Sequence, residues 1–209
     1  MRALIAFLLL SFTPAFAVPV KVAEAPFNNL ALTIQAIQTA KSYLLVNIYD
    51  LSSQDVADAL VDRIKDGLHV EILEEGQPVG GVSAGGKKIR AQLAKAMAQA
   101  GGEDHLYVMS SKPVTNSFSA PSLSKRRFRF DHAKYIVVDG KDLLVGSENY
   151  SPTGNPVPGN LGNRGWEVLV HDDSIAGYFK DIFRKDSDTS IGDVVDLTDR
   201  SQLVDARTG

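Results

Sequence analysis

"AKSYLLVNIYDLSSQDVADALVDRIKDGLHVEIL", residues 40–73, decides the fold. It opens with "SYLLVNIYDL", an apolar run rich in strand-forming residues, and closes in the first residues of "LHVEILEE", which reads as a second strand. Between them "SSQDVADALVDRIKDG" begins with Ser and Asp capping candidates and stops at Gly67. Val56, Leu60 and Ile64 recur every four residues, the spacing of one helical face. Two buried strands joined by a helix of this length must run parallel, because a crossover of that size cannot be a hairpin.

The pattern extends in both directions. Upstream, "NNLALTIQAIQTAK" (28–41) carries Leu30, Ile34 and Ile37 at helical spacing. Downstream, the glycine-rich loop "GQPVGGVSAGG" leads to a helix "KKIRAQLAKAMAQAGG" that ends at Gly101, then to the strand "DHLYVMS". Residues 111–124, "SKPVTNSFSAPSLS", form a long polar loop of the kind that carries function. After a second loop, "SPTGNPVPGNLGNRG", come the strand "WEVLVHD" and the amphipathic helix "SIAGYFKDIFRKD". Residues 186–209 read as a polar tail in which "DVVDL" is a candidate edge strand. The alternation predicts an α/β fold, a mixed sheet flanked by helices, in one domain over residues 18–185.

The first seventeen residues, "MRALIAFLLLSFTPAFA", have the anatomy of a secretory signal: Arg2, an apolar run, then Ala15-Phe16-Ala17. The apolar run is too short for a span of about 20 residues. Cleavage before Val18 and a periplasmic or secreted location, with no stable membrane anchor, are the expectation. The chain has no cysteine, so it needs no disulfide. Its formal net charge of −3 excludes a broadly basic surface, and a polyanionic ligand would have to be held by local positive groups.

Those groups converge in "RFDHAKYIVVDGKDLLVGSENYS", residues 129–151. His132 and Lys134 are two apart, so on a strand they share a face. Asp139-Gly140 signals a hairpin. A two-residue loop, in either register, brings Ser147 and Asn149 onto the face of His132 and Lys134; a three-residue loop breaks that arrangement. An imidazole, an ammonium, a hydroxyl and an amide on one face suit a phosphoryl group, with the imidazole as nucleophile or general acid.

The spacing His132-x-Lys134, four residues, Asp139, six residues, Gly146-Ser147-x-Asn149 resembles the motif of the phospholipase D superfamily, and the resemblance covers most of residues 28–185. It implies catalysis without a metal or cofactor. Two motifs meet at a two-fold axis; one histidine attacks phosphorus to give a phosphohistidine and the other protonates the leaving oxygen, then activates water. Lysines and asparagines clamp the phosphate, and Asp139 is structural or orienting. This chain has one motif, so the resemblance implies a homodimer, as in short family members that include periplasmic-type nucleases. The family's acid after the second loop, often in Asn-x-Glu, has no counterpart at that spacing; Glu167 is the candidate to orient the histidine.

His69, His105 and His171 lack companions and read as structural. A metal site from Asp131, His132 and Asp139 is a poor alternative, because Lys134 would repel a cation. Ser147 lacks the elbow of a serine hydrolase. "KRRFRF", residues 125–130, interleaves basic and aromatic residues: Lys125, Arg127 and Arg129 are candidates to bind substrate, with Phe128 and Phe130 on the His132 face by alternation. Trp166 reads as core. The function expected is an endonuclease of low sequence specificity with nucleic acid as substrate; the alternative is a phospholipase D acting on phospholipid headgroups.

Overall fold

The computed structural model describes residues 17–109 and 127–199. Residues 1–16, which hold nearly all of the expected signal segment, the stretch 111–124 expected as a loop, and Lys125 lie outside the described residues. In chain order the elements are β1 (Val20–Ala25), α1 (Asn29–Thr39), β2 (Tyr43–Ile48), α2 (Gln54–Lys65), β3 (His69–Glu75), α3 (Ala84–Ala100), β4 (His105–Met109), β5 (Lys134–Val138), β6 (Asp142–Gly146), β7 (Gly165–His171), α4 (Asp173–Asp186), a 3₁₀ turn (Thr189–Ile191) and β8 (Val194–Asp196).

The strands form one eight-stranded sheet in the order β1-β7-β6-β5-β2-β3-β4-β8. β2, β3 and β4 are parallel, as the strand-helix-strand reading requires, and every other pairing is antiparallel. Both faces of the centre are covered. Leu44, Val46 and Ile48 of β2 join Ile37, Val56, Leu60, Ile64, Ile89 and Leu93 of α1, α2 and α3 in the larger core. Leu45 points the other way, into a smaller core with Tyr135, Val137, Leu143 and Phe183 beneath α4. Burial on both sides explains why β2 reads as a nearly continuous apolar run.

The helix ends follow local chemistry. Ser83 Oγ accepts a hydrogen bond from the Gly86 N–H at the start of α3, and Gly101 closes that helix at a φ of 68°, where a side chain would be strained. Asp172 caps α4 by accepting from the Ile175 N–H. Ser53 stands at the N-cap of α2, as expected, but its side chain makes no capping bond.

The chain begins the sheet at β1, "VKVAEA". β8, the expected edge strand in "DVVDL", pairs antiparallel with β4 and closes that edge. Two expectations are corrected. Residues 127–133 are irregular, so His132 precedes β5 and does not lie on it. Trp166, expected in the core, is 58% exposed. It shares a sheet face with Val168 and Val170, and α4 covers that face over β6, β5 and β2.

Leu60 is fully buried between α2 and the sheet. Leu60→Ala leaves a cavity there and is expected to cost about 2–5 kcal/mol, read as a lowered urea midpoint at unchanged slope.

Candidate active site

The β5–β6 hairpin settles the geometry of the motif. Val138 pairs with Asp142 and Tyr135 with Val145, so the loop is the three residues Asp139-Gly140-Lys141. Lys141 N–H donates to Val138 C=O across it at 3.0 Å, with positive φ at both Asp139 (53°) and Gly140 (66°). The expected two-residue loop is therefore overturned, and with it the argument that His132 and Lys134 face Ser147 and Asn149 across a ladder. In the observed register even-numbered residues oppose even-numbered ones. Lys134 shares its face with Leu144 and Gly146.

The chain assembles the motif's far end by another route. β6 stops at Gly146, and Ser147 turns onto β7: its N–H donates to Trp166 C=O at 3.0 Å and its Oγ accepts from Trp166 N–H at 3.2 Å. Tyr150 bridges to Leu51, and Tyr150 C=O accepts from Ser52 and Ser53 N–H. This carries Asn149 to the connection between β2 and α2, beside the C-terminal end of β2. The Asn149 Oδ1 is shielded from water and has no hydrogen-bond partner among the described residues.

His132 is exposed, while Lys134 is buried along its stem. Lys134 Nζ lies 3.2 Å from His132 Nδ1 and donates to His132 C=O at 2.9 Å. An ammonium can only donate, so in this contact Nδ1 is the unprotonated ring nitrogen. Burial, reinforced by the Lys134 charge, holds the imidazole below its ordinary range. Burial also lowers Lys134, opposed by the carboxylates of Asp131 and Glu148. The shift at His132 favours a neutral imidazole near pH 7.

The residues flanking His132 are pinned. Asp131 N–H donates to Glu75 at 2.8 Å, and the Asp131 carboxylate accepts from Ala133 N–H at 3.2 Å. Burial pushes the Asp131 carboxyl up to about 6. Tyr49, one residue beyond β2, sets its ring 4.6 Å from the imidazole.

Asp139 lies at the opposite end of β5 from His132. Its carboxylate accepts from the backbone N–H groups of Lys41, Ser42 and Tyr43 at 2.7–3.0 Å. It anchors the hairpin to the start of β2, so its place is structural and it does not join His132 in a ligand set. Among the described residues, no group of three or more His, Asp or Glu side chains is placed to hold a metal ion.

Gly146 has a specific reason to be glycine. It pairs with Glu167, and a Cβ there would stand 2.9 Å from Glu167 Cγ. Glu167 is 1% exposed, and its carboxylate accepts from Thr33 Oγ1 at 2.7 Å and Asn155 Nδ2 at 3.2 Å. The expected role of Glu167 in orienting His132 is thus not what the chain provides; the side chain is spent on α1 and the second loop. Burial raises its carboxyl to about 7, against the pull of those hydrogen bonds.

Residues 33–187 match the family described as "Cardiolipin synthase, PLD-like domain". The chain belongs to the phospholipase D-like family. A comparison with curated protein sequences gives no match. Among solved structures, this phospholipase D-like chain is similar to Nuc from Salmonella typhimurium, a phospholipase D family member, at 20% identity and a TM-score of 0.65, covering 87% of this chain and 99% of that one. It is similar to NucT from Helicobacter pylori at 16% identity and a TM-score of 0.64, covering 87% and 100%. Phosphatidylserine synthase from Haemophilus influenzae Rd KW20 matches at 10% identity and a TM-score of 0.54, over 87% of this chain and 40% of that one.

The remaining candidates divide. Arg127 is not free to bind substrate: its Nε donates to Asp193 at 2.9 Å, and its Nη atoms donate to the backbone oxygens of Lys185 and Asp186, tying this segment to the end of α4. Arg129 is exposed, with its guanidinium 5.9 Å from the Phe130 ring. His69, His105 and His171 each meet a carboxylate, of Glu71, Asp196 and Asp142. Tyr49 and Glu148 escaped the sequence reading. In the sequence Tyr49 is indistinguishable from the end of a buried strand, and the one signal for Glu148 is its position between Ser147 and Asn149. Glu148 accepts from Asn163 Nδ2 at 2.8 Å.

Folded Glu167 keeps its proton up to about pH 7, whereas the unfolded chain releases it near 4.5. Its contribution to stability is complete below 4.5 and is lost as pH rises through 7. Relative to Glu167→Gln, wild type is expected to lose stability across that window, read from urea midpoints at each pH. The Asn155 amide, whose Oδ1 has no partner among the described residues, can turn to meet the glutamine.

Proposed function

We propose that the chain is a metal-independent phosphodiesterase, an endonuclease of low sequence specificity that works as a homodimer. The observation that carries this reading is the His132–Lys134 pair: an exposed imidazole, held neutral, with an ammonium 3.2 Å from its Nδ1. A phosphodiester bound there draws the Lys134 charge to its oxygens and releases Nδ1 to carry the ring proton. Nε2 then attacks phosphorus, and the P–O bond to the leaving group breaks. The leaving oxygen takes its proton from the partner subunit's His132, which enters the step as the imidazolium, favoured by the negative charge of the bound phosphodiester, and leaves it neutral. Water then attacks the phosphohistidine, giving its proton back to that second histidine and the P–N electron pair to His132. Asn149 completes the clamp on the phosphate.

The homodimer is supported by the single motif and by an apolar sheet surface. Val20, Val22 and Trp166 are 56%, 67% and 58% exposed on one face. Such a stripe suits a self-complementary contact about a two-fold axis. Nucleic acid is favoured over phospholipid because this chain spans nearly all of Nuc and NucT but 40% of the phosphatidylserine synthase. Phe128 and Arg129 are both exposed near the site and offer stacking and charge to a strand. No helix among the described residues is long and apolar enough to cross a membrane.

His132→Ala is expected to abolish cleavage of single-stranded DNA while leaving the melting temperature close to wild type, because the side chain is exposed. Wild-type cleavage is expected to persist in excess EDTA; loss on chelation with rescue by a divalent ion overturns the mechanism. In subunit-exchanged mixtures of wild type and His132→Ala, turnover should follow the fraction of wild-type homodimers, and a linear fall with chain fraction refutes the shared site. If phosphatidylcholine is cleaved and DNA is not, the lipid alternative replaces the nuclease. Export belongs to the same reading: N-terminal sequencing of the exported protein should begin at Val18, and retention of Met1 overturns it.

A further inference from the structure

Tyr49 holds together three parts of the site that the chain supplies from separate places. It follows Ile48, which pairs with Lys134 at the end of the β2–β5 ladder. Its ring is buried, 4.6 Å from the His132 ring at an interplanar angle of 59°. Lys134 Nζ lies 5.4 Å from the ring centroid, within reach of the negative face of the π-system. Phe130 meets the same ring edge-on at 6.3 Å. The hydroxyl accepts a hydrogen bond from the Val79 N–H at 2.6 Å. Val79 belongs to the glycine-rich loop between β3 and α3, where Gly80 and Gly81 take positive φ and the Val79 side chain is 80% exposed.

This arrangement meets a specific need. His132 sits on irregular backbone, so no sheet ladder fixes the direction of its ring. The Asp131 contacts hold the backbone, but they leave the imidazole free to swing. A flat aromatic wall on one side limits that rotation, and the same wall sets where the ammonium rests. A loop tethered to the far end of the wall is thereby placed at a defined distance from the reacting atoms.

We propose that Tyr49 is a positioning residue: its ring fixes the His132 imidazole against the Lys134 ammonium, and its hydroxyl holds the 76–83 loop where a bound nucleic-acid strand leaves the site. The inference rests on the phosphodiesterase reading above, and its test separates the two. Tyr49→Leu removes the wall at similar bulk. Tyr49→Phe keeps the wall and cuts the tether.

Each variant is made in the mature full-length chain and checked for folding by thermal melting. Turnover is measured on bis-p-nitrophenyl phosphate and on single-stranded DNA, and the His132 ring is titrated by NMR. Tyr49→Leu is expected to lower kcat on both substrates at least about tenfold, since ångström-scale misplacement costs up to about 10²-fold. With the shielding ring gone, its imidazole should titrate closer to the ordinary 6.5. Tyr49→Phe should leave the imidazole titration at the wild-type position, and its loss should fall on KM for DNA, with kcat well above that of Tyr49→Leu. A Tyr49→Leu protein with wild-type kcat and wild-type titration overturns the proposal, as does a Tyr49→Phe protein that loses as much kcat as Tyr49→Leu. If wild type cleaves no phosphodiester, the phosphodiesterase reading fails, and the imidazole titrations of the folded variants still decide whether Tyr49 shields His132.

Discussion

Three consecutive backbone N–H groups, those of Lys41, Ser42 and Tyr43, donate to the one carboxylate of Asp139. Asp139 N–H in turn donates to Tyr43 C=O at 3.1 Å. These four bonds lock the hairpin turn to the first residue of β2. The antiparallel register then runs without choice from Leu44↔Val138 to Ile48↔Lys134. His132 comes alongside the residues just past β2 because Asp139 is held beside those just before it. The motif's spacing is thus the length of a strand: its aspartate fixes one end, and its histidine and lysine act at the other. An anionic acceptor of three backbone donors makes charge-assisted bonds, stronger than neutral ones, which suits a contact that sets a whole register.

Much of the fold was legible because the patterns were long. The stripe Val56, Leu60, Ile64 spans just over two turns of α2, and β2 and β3 are buried on both faces, so two strands separated by an amphipathic helix admitted one topology. The failures lie where a few atoms decide. Asp-Gly fits a two-residue or a three-residue turn; the outcome follows from Asp139 turning its carboxylate to a strand 96 to 98 residues away. Arg127 looked like a phosphate ligand because alternating basic and aromatic residues have no signature that separates a solvated face from a structural anchor. Its partner, Asp193, is 66 residues on. Glu167 and Trp166 are neighbours that exchanged expected roles: strand parity sends the carboxylate inward to Thr33 and the indole out.

The site's charge balance also could not be read from composition. The chain is acidic overall, and the His132–Lys134 pair is surrounded by carboxylates, with Asp131, Glu75 and Glu148 nearby. Asp131 is buried and raised, and Glu75 is 0% exposed. Burial lowers Lys134, and the carboxylates of Asp131 and Glu148 oppose that shift and favour its charged form. Local positive potential in this fold comes from keeping one ammonium ionised and not from accumulating many.

The sheet's edges are formed by the two ends of the described chain, β1 at one side and β8 at the other. Through biosynthesis this imposes an order of completion. β2, β3 and β4 can pair as soon as residues 43–109 are made, but the free side of β4 waits until Val194–Asp196 has emerged. While the intervening chain is made, β4 therefore presents open backbone donors and acceptors, a template for pairing with another nascent chain. The short C-terminal strand acts as a latch that closes last, and Arg127, gripping Asp193 one residue before it, secures that latch from the segment that leads into His132.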